Sequence, residues 1–328
     1  MDIVLVADPP KKVVDKNSNY TEGNNEIEFN EIVKTLKTFG TLQQYTDLET
    51  FSTDAHLLKD KLIFPMFWGK SSNIIKGHAP AICEINSLDY LGPNSYASIM
   101  CNDKYMIKRI IHTFDLKTAP SVLIYESMDS QMILEKLELL NFPVIVKPNY
   151  GGGSTGITKT NLVDTVKDAL EKINELFQLG FSPLIVEEYI EGYEISILLI
   201  GNMNEVKFSE QMMLFNNNKN YFSHSIWSVE DKKVTITNSY YETTDLLLKT
   251  IIEKAKKLFQ YFDKVEYLRV DGRLNKNGFF VLELSPDCYL GPNSDFHIAF
   301  TKKGKSYRDF ISFLISNHLE SNKSGIPQ

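Results

Sequence analysis

The residues from Phe142 to Gly156, FPVIVKPNYGGGSTG, join one cation to a run of glycines. Val144, Ile145 and Val146 read as a buried strand. That strand delivers Lys147, then Pro148 and a loop holding Gly151, Gly152, Gly153 and Gly156. Glycines let backbone N–H groups approach a ligand in conformations closed to other residues. A nest of such groups beside a lysine is an anion site, and triphosphate is a common occupant. The lysine precedes the glycines, so the order is that of neither a P-loop nor a dinucleotide fingerprint. A flexible surface loop is the plainer reading of the same glycines.

The hairpin YLRVDGRL, NKNG, FFVLELS is the second constellation. Arg269, Asp271 and Arg273 share a face by the two-residue period, as do Val281, Glu283 and Ser285. A three-residue turn with Gly278 at positive φ pairs residue 275 with 279, which sets Asp271 opposite Glu283 and Arg269 opposite Ser285. Facing carboxylates repel unless a cation lies between them. Magnesium takes one or two carboxylates together with phosphate oxygens. Taken alone, the hairpin reads as a solvated face screened by Arg269 and Arg273; taken with the glycine loop, it reads as a metal clamp. The third constellation is VEEYIEGYE, Val186 to Glu194. Here a strand runs into a linker whose backbone groups suit an adenine edge and whose following carboxylate suits ribose hydroxyls.

Alternating strands and helices must position these groups. Ile3 to Ala7 and Leu62 to Phe67 read as strands, and Ile27, Ile32, Val33, Leu36 and Phe39 recur at helical spacing. The first hundred residues form a small α/β unit with a mostly parallel sheet, whose loop from Pro9 to Asn25 is polar and mobile. A second unit begins near Asn102. It holds a helix with Lys104 and Lys108, a strand at Ser121 to Glu126, a helix near Met132 to Leu140 and the Lys147 strand. Asn161 reads as the N-cap of a helix with Val166, Leu170, Ile173 and Phe177 on its core face. A third unit opens with the strand Leu184 to Glu188, followed by a strand from Glu194 to Gly201, a helix from Leu246 to Phe262, and the hairpin. Residues 202 to 243 yield no clear elements, and the tail after Ser321 reads as frayed.

Composition narrows the function. The 328 residues carry a net charge of -7, which argues against non-specific nucleic-acid binding. No segment approaches a transmembrane length, and the N-terminus reads as a first strand rather than a signal peptide. Cys83, Cys101 and Cys288 lie far apart and form no metal spacing, so a reducing, cytoplasmic setting without structural disulfides is expected. A dehydrogenase-like fold would need glycines after the first strand, and Asp8-Pro9-Pro10 stands there.

In order along the chain, LDYLGPNSYASIMCNDKYMIK, VIVKP, GGGSTGI, EEYIEGYEIS, RVD and LEL resemble motifs of the ATP-grasp superfamily, in its D-alanine–D-alanine ligase-like branch. The resemblance runs from about Tyr90 to about Phe296. It implies an α/β protein, α+β in its C-terminal half, with an ATP-grasp fold. An N-terminal pre-ATP-grasp domain would span 1–101, a subdomain with the phosphate flap 102–184, a subdomain with the metal site 185–320, and a polar tail 321–328. ATP and Mg²⁺, or Mn²⁺ in its place, are the implied cofactors. Lys104 and Lys147 would bind phosphates, and Gly152, Gly153 and Ser154 would fold over them. Glu188 and Ile190 would give backbone contacts to adenine on either side of Tyr189, Glu187 a polar contact, and Glu194 a ribose contact. Asp271, Glu283 and Ser285 would hold the metal. Arg269 would hold the donor carboxylate and the developing oxyanion, with Lys147 and Ser154 beside it in the catalytic set, and Ser294 the acceptor carboxylate.

The implied reaction is carboxylate–amine ligation through an acylphosphate. Its substrates would be amino acids or a short peptide, with neither nucleic acid nor membrane as partner and a homodimer as the candidate assembly. The chain reads Glu283-Leu284-Ser285 where the family usually reads Glu-x-Asn, and has Gly153 where D-alanine ligases place a serine. The N-terminal half lacks their Glu-x-x-Ser and His-Gly signatures. No third phosphate lysine stands near Ile226-Trp227. These departures argue against D-alanine as the substrate. They keep a non-catalytic or regulatory nucleotide-binding protein with a degenerate metal site as the alternative.

Overall fold

A computed structural model describes residues 1–10, 26–69, 75–226 and 239–323. The expected loop from Pro9 to Asn25 lies almost wholly outside the described residues, as does Trp227. Three sheets carry the chain. The first holds β1 (Asp2–Ala7), β2 (Thr41–Tyr45), β3 (Leu62–Met66) and β4 (Asp89–Tyr90) in the order β2-β1-β3-β4, all parallel. A parallel sheet is covered on both faces, which is why β1 is apolar from Ile3 to Ala7. Ile3 and Leu5 face one core with Phe29, Ile32 and Leu36, while Val4 and Val6 face another with Phe51, Leu58 and Cys83. The helix Glu26–Leu36 ends before Phe39, and Ile27 is exposed. Other elements of this unit, among them β2 and the helices Leu48–Asp54 and Ile75–Ile85, are absent from the sequence reading.

The second sheet is antiparallel, with β6 (Ser121–Ile124), β7 (Val144–Pro148), β8 (Leu162–Val163) and β9 (Leu184–Glu188) in the order β6-β9-β7-β8. The strand expected to open the third unit, β9, instead sits between β6 and β7. The helix after the glycine loop, Val166–Gln178, is capped by Thr165, whose side chain accepts from the Asp168 N–H. Asn161 is no cap for it. Buried at 1% exposure, its amide donates to the carbonyls of Val146 and Gly156 at 2.6 and 2.9 Å, so it ties the loop to β7.

The third sheet contains β5 (Lys117–Thr118), β10 (Gly192–Gly201), β11 (Val206–Asn216), β12 (Tyr221–Phe222), β13 (Ser239–Thr243), β14 (Tyr267–Asn275) and β15 (Gly278–Ser285). Its order is β13-β11-β10-β14-β15-β5, with β12 beside β10. One face packs on the helices Lys104–Thr113 and Lys249–Tyr261 through Ile107, Ile111, Leu258 and Phe259. The other face shares a core with the first sheet and with the last helices, Asp295–Lys302 and Tyr307–Lys323. That last helix runs past Ser321 to Lys323, two residues beyond the start of the expected tail.

The hairpin corrects a register argument. Asn275 pairs with Gly278, not with residue 279, because the turn holds two residues, Lys276 and Asn277. A β-bulge between Asp271 and Gly272 then restores Asp271 opposite Glu283 and Arg269 opposite Ser285. The extra residue is Leu282. It switches the face of β15: Phe279 and Val281 point into the core, and so does Leu284, while Glu283 and Ser285 are left toward the opposite side. Val281 therefore does not share a face with Glu283. Bulges of this kind recur where a strand must re-aim a functional side chain.

Candidate active site

A cleft of about 440 Å³ lies between the second and third sheets. It is lined by Lys104, Lys147, the loop 151–155, Glu187, Glu188, Ile190, Glu194, Arg269, Asp271, Glu283 and Ser285 among others. The three constellations read from the sequence thus converge on one space.

At one end are the lysines. Lys104 begins the helix Lys104–Thr113, and Asp103 before it accepts from the Met106 N–H and from the Asn149 amide, each at 2.9 Å. Asn149, fully buried, also accepts from the Tyr105 N–H, so the strand end at β7 and the helix start are locked together. The Lys104 ammonium donates to the Gly151 carbonyl and lies 3.6 Å from Glu283. Lys147 pairs with Glu187, which also pairs with Lys108 at 2.9 Å. Burial alone would raise the Glu187 pKa, but Lys108 and Lys147 outweigh it and hold the carboxyl down at about 2. For Lys108 burial dominates and pushes the pKa down.

The loop after β7 has the backbone of a nest. Gly151, Gly153, Ser154 and Gly156 all have positive φ, between 63° and 89°. At Gly156 an added Cβ would stand 2.9 Å from the Pro148 ring, so both conformation and space call for glycine. Ser154 accepts this conformation as a non-glycine, a cost that ordinarily marks a functional position. Next to it, the Thr155 hydroxyl is buried with no partner among the described residues, a polar group the sequence reading passed over.

At the hinge, pairing explains which backbone groups remain for a ligand. The Glu188 N–H donates to the Pro120 carbonyl at 2.9 Å. An antiparallel ladder would return a bond from residue 120 to the Glu188 carbonyl, but proline has no N–H. The Ile190 carbonyl accepts from Arg273 at 2.9 Å. Among the described residues this leaves the hinge with the Glu188 C=O as acceptor and the Ile190 N–H as donor, a pair that suits an amino group beside a ring nitrogen. Glu194 faces the cleft from β10 and pairs with Arg273 at 3.1 Å. The Glu187 carboxylate, expected as a polar contact, is turned to the two lysines.

Asp271 and Glu283 stand opposite one another at the other end. Asp271 accepts from the Ser196 hydroxyl at 2.6 Å and from Arg269 Nε at 2.9 Å; burial still lifts its pKa to about 6. Burial also opposes ionisation of Glu283, yet Lys104, Lys147, Lys76 and Arg269 together hold its pKa below the usual value. The donor set of two carboxylates and the Ser285 hydroxyl is all oxygen, which suits a hard divalent cation that takes its other ligands from phosphate and water. Among the described residues no group of three or more His, Cys, Asp or Glu side chains is placed to hold a metal; the candidate here is a carboxylate pair.

Arg269 has a second partner that the sequence did not reveal. Its Nη1 donates to Asp295 at 2.9 Å, and Asp295 opens the helix Asp295–Lys302. Ser294, expected to bind an acceptor carboxylate, is the N-cap of that helix: its hydroxyl accepts from the His297 N–H at 3.2 Å, it is 4% exposed, and it does not line the cleft. Lys76 and Asp287, paired at 2.8 Å, do line the cleft, and of the two Lys76 was likewise missed. Burial pushes the Cys288 thiol up, away from the thiolate form a nucleophile needs.

A glycine-rich loop and lysine over one end of a cleft, a backbone hinge along it and a carboxylate hairpin across it define an ATP-grasp ligase. The family model "D-ala D-ala ligase C-terminus" matches residues 110–316; the chain belongs to that family. A D-alanine–D-alanine ligase of Wigglesworthia glossinidia brevipalpis is 26% identical over 269 residues, 79% of this chain and 71% of the relative. The vancomycin C-type resistance protein VanC1 of Enterococcus gallinarum is 31% identical over 161 residues, 47% of this chain and 45% of the relative. In fold, the chain is similar to the D-alanine–D-alanine ligase of Bacillus anthracis complexed with ATP, with a TM-score of 0.74 and 18% identity over 99% of both chains. It is also similar to the VanG D-Ala:D-Ser ligase of Enterococcus faecalis, with a TM-score of 0.70 over 97% of this chain and 99% of that one. No helix among the described residues is long and apolar enough to cross a membrane.

Proposed function

We propose that this chain joins the carboxylate of one small amino acid to the amine of another, using ATP and Mg²⁺. The observation that carries this reading is the convergence of Lys104, Lys147, Arg269, Asp271 and Glu283 on one cleft. A carboxylate oxygen of the donor attacks the γ-phosphorus, the bond to ADP breaks, and an acylphosphate forms. The acceptor amine then attacks the acyl carbon, phosphate leaves, and the amine loses a proton. Such chemistry asks the protein to position reactants and neutralise charge.

Lys104 and Lys147 neutralise phosphate oxygens, and the nest from Gly151 to Gly156, with Ser154 and Thr155, offers N–H and hydroxyl groups above them. The Glu188 C=O and Ile190 N–H hold adenine, and Glu194 the ribose. Arg269 is fixed by Asp271 and Asp295 on two of its nitrogens, and its remaining N–H groups serve the donor carboxylate and the oxyanion. Asp271 and Glu283, with Ser285 beside them, would hold Mg²⁺, which when bound supplies positive charge to the triphosphate. Cys83, Cys101 and Cys288 are free and buried, which supports a reducing, cytoplasmic setting.

D-alanine, named for the relatives, is the first substrate to test, followed by a panel of other D- and L-amino acids. ADP release that requires an amino acid, with the amide found by mass spectrometry, is the expected result. ATP binding without ADP release for any amino acid pair would return the chain to a nucleotide-binding role.

A further inference from the structure

Arg273 lies on the same face of β14 as Arg269 and Asp271, yet the proposed ligation gives it no task. It is 4% exposed and lines the nucleotide end of the cleft. Its register partner on β10 is Glu194. Nη1 donates to the Ile190 carbonyl at 2.9 Å, and Nη2 to the Glu194 carboxylate and the Ser225 carbonyl, each at 3.1 Å. The guanidinium also lies against the Tyr189 ring at 5.1 Å and the Phe222 ring at 5.0 Å. One side chain therefore binds the hinge, the acid beside it and the segment from Phe222 to Ser225. Tyr189 reinforces the same junction, its hydroxyl accepting from the Ser225 N–H at 3.1 Å.

We propose that Arg273 is a nucleotide-positioning residue that sets the enzyme's preference for an intact ribose. The inference rests on the ATP-dependent reading. A flexible glutamate gains little from a ribose hydroxyl, because it must give up rotamer freedom to bind it. Arg273 removes that freedom in advance by holding one Glu194 oxygen and leaves the other toward the cleft. By holding the Ile190 carbonyl, it also fixes the hinge peptide chain that follows the donor N–H. Lysine cannot replace it, since an ammonium does not reach three acceptors in one plane as a guanidinium fork does.

The test is calorimetric titration of the full chain with ATP and with 2′,3′-dideoxy-ATP, each with Mg²⁺. Wild type is expected to prefer ATP by about tenfold, the worth of one charge-assisted hydrogen bond. Arg273→Met should bind ATP about tenfold more weakly and lose most of the preference, and Arg273→Lys should behave the same way. A residue that merely packs the hinge would weaken both nucleotides equally, and a preference kept in Arg273→Met would overturn the proposal. Should Arg273→Met fail to fold, the Lys variant decides by the same comparison. A wild type that binds ATP but shows no preference would defeat this inference alone; one that binds no ATP would defeat the ligase reading as well.

Discussion

Lys147 and Glu283 reach the cleft beside charged neighbours. Lys147 shares Glu187 with Lys108, so removing it leaves a compensated ion pair behind. Lys147→Ala is expected to weaken ATP binding about tenfold or more, ~1.4 kcal/mol, without a change in fold, as read by calorimetry and circular dichroism. Glu283→Gln keeps the shape of the hairpin but removes one of two facing charges. Turnover should fall by at least ~100-fold, while ATP affinity falls less because the lysines and hinge remain. Ligation left intact at saturating Mg²⁺ would show that the carboxylates are only a solvated face. Most of these residues were legible because the two-residue period of a strand fixes which side chains share a face. Lys108 and Asp295 were not legible: each acts through a partner distant in sequence, Glu187 and Arg269, that only the folded sheets bring near.

Two elements show how local reasoning succeeds and fails. The hairpin pairing was right for the wrong turn, because the bulge at Leu282 adds back the residue that the tighter turn removes. Nothing in VLEL marks a bulge; its signature is the switch of burial from Val281 to Leu284, visible only once the core is known. The element after the glycine loop was placed too early, since Asn161 has the chemistry of a cap but spends it on the loop. Its amide donates to two backbone carbonyls, those of Val146 and Gly156. Asn161→Ala should cost about 1–3 kcal/mol in urea denaturation and speed hydrogen exchange from Gly151 to Gly156. A cost under about 0.5 kcal/mol would mean that the loop is anchored elsewhere.

The whole molecule is closed by a group far from the cleft. His318, on the last helix and fully buried, lies 2.8 Å from Glu266 and 2.9 Å from Asp89. Glu266 also accepts from the Gly92 N–H. The first sheet, the residue that leads into β14 and the last helix thus meet at one imidazole. Burial alone would lower its pKa, but the two carboxylates raise it from 6.5 to about 9. The folded state therefore holds this proton more tightly than the unfolded chain. The resulting stability is complete below pH about 6.5 and is lost as pH rises through about 9. The shift amounts to about 3 kcal/mol at most. His318→Gln should lower the melting temperature more at pH 6.5 than near pH 9.5, and an equal loss at both would remove the charged imidazole from the account. This return of the C-terminus to the first sheet was hidden in the sequence, because a buried histidine between two acids has no spacing signature. The fold class was legible, since strand and helix periods alternate along most of the chain.

In the proposed order of steps a substrate carboxylate takes the γ-phosphoryl group of ATP before an amine displaces it. This order is tested most directly with an amino acid labelled with oxygen-18 in its carboxylate, beginning with D-alanine, and by the mass of the inorganic phosphate released. Acylphosphate formation transfers one carboxylate oxygen to phosphate. The expected result is one labelled oxygen per phosphate, with ADP, phosphate and amide in equal amounts. ATP consumed with unlabelled phosphate, as in simple hydrolysis by water, would contradict it.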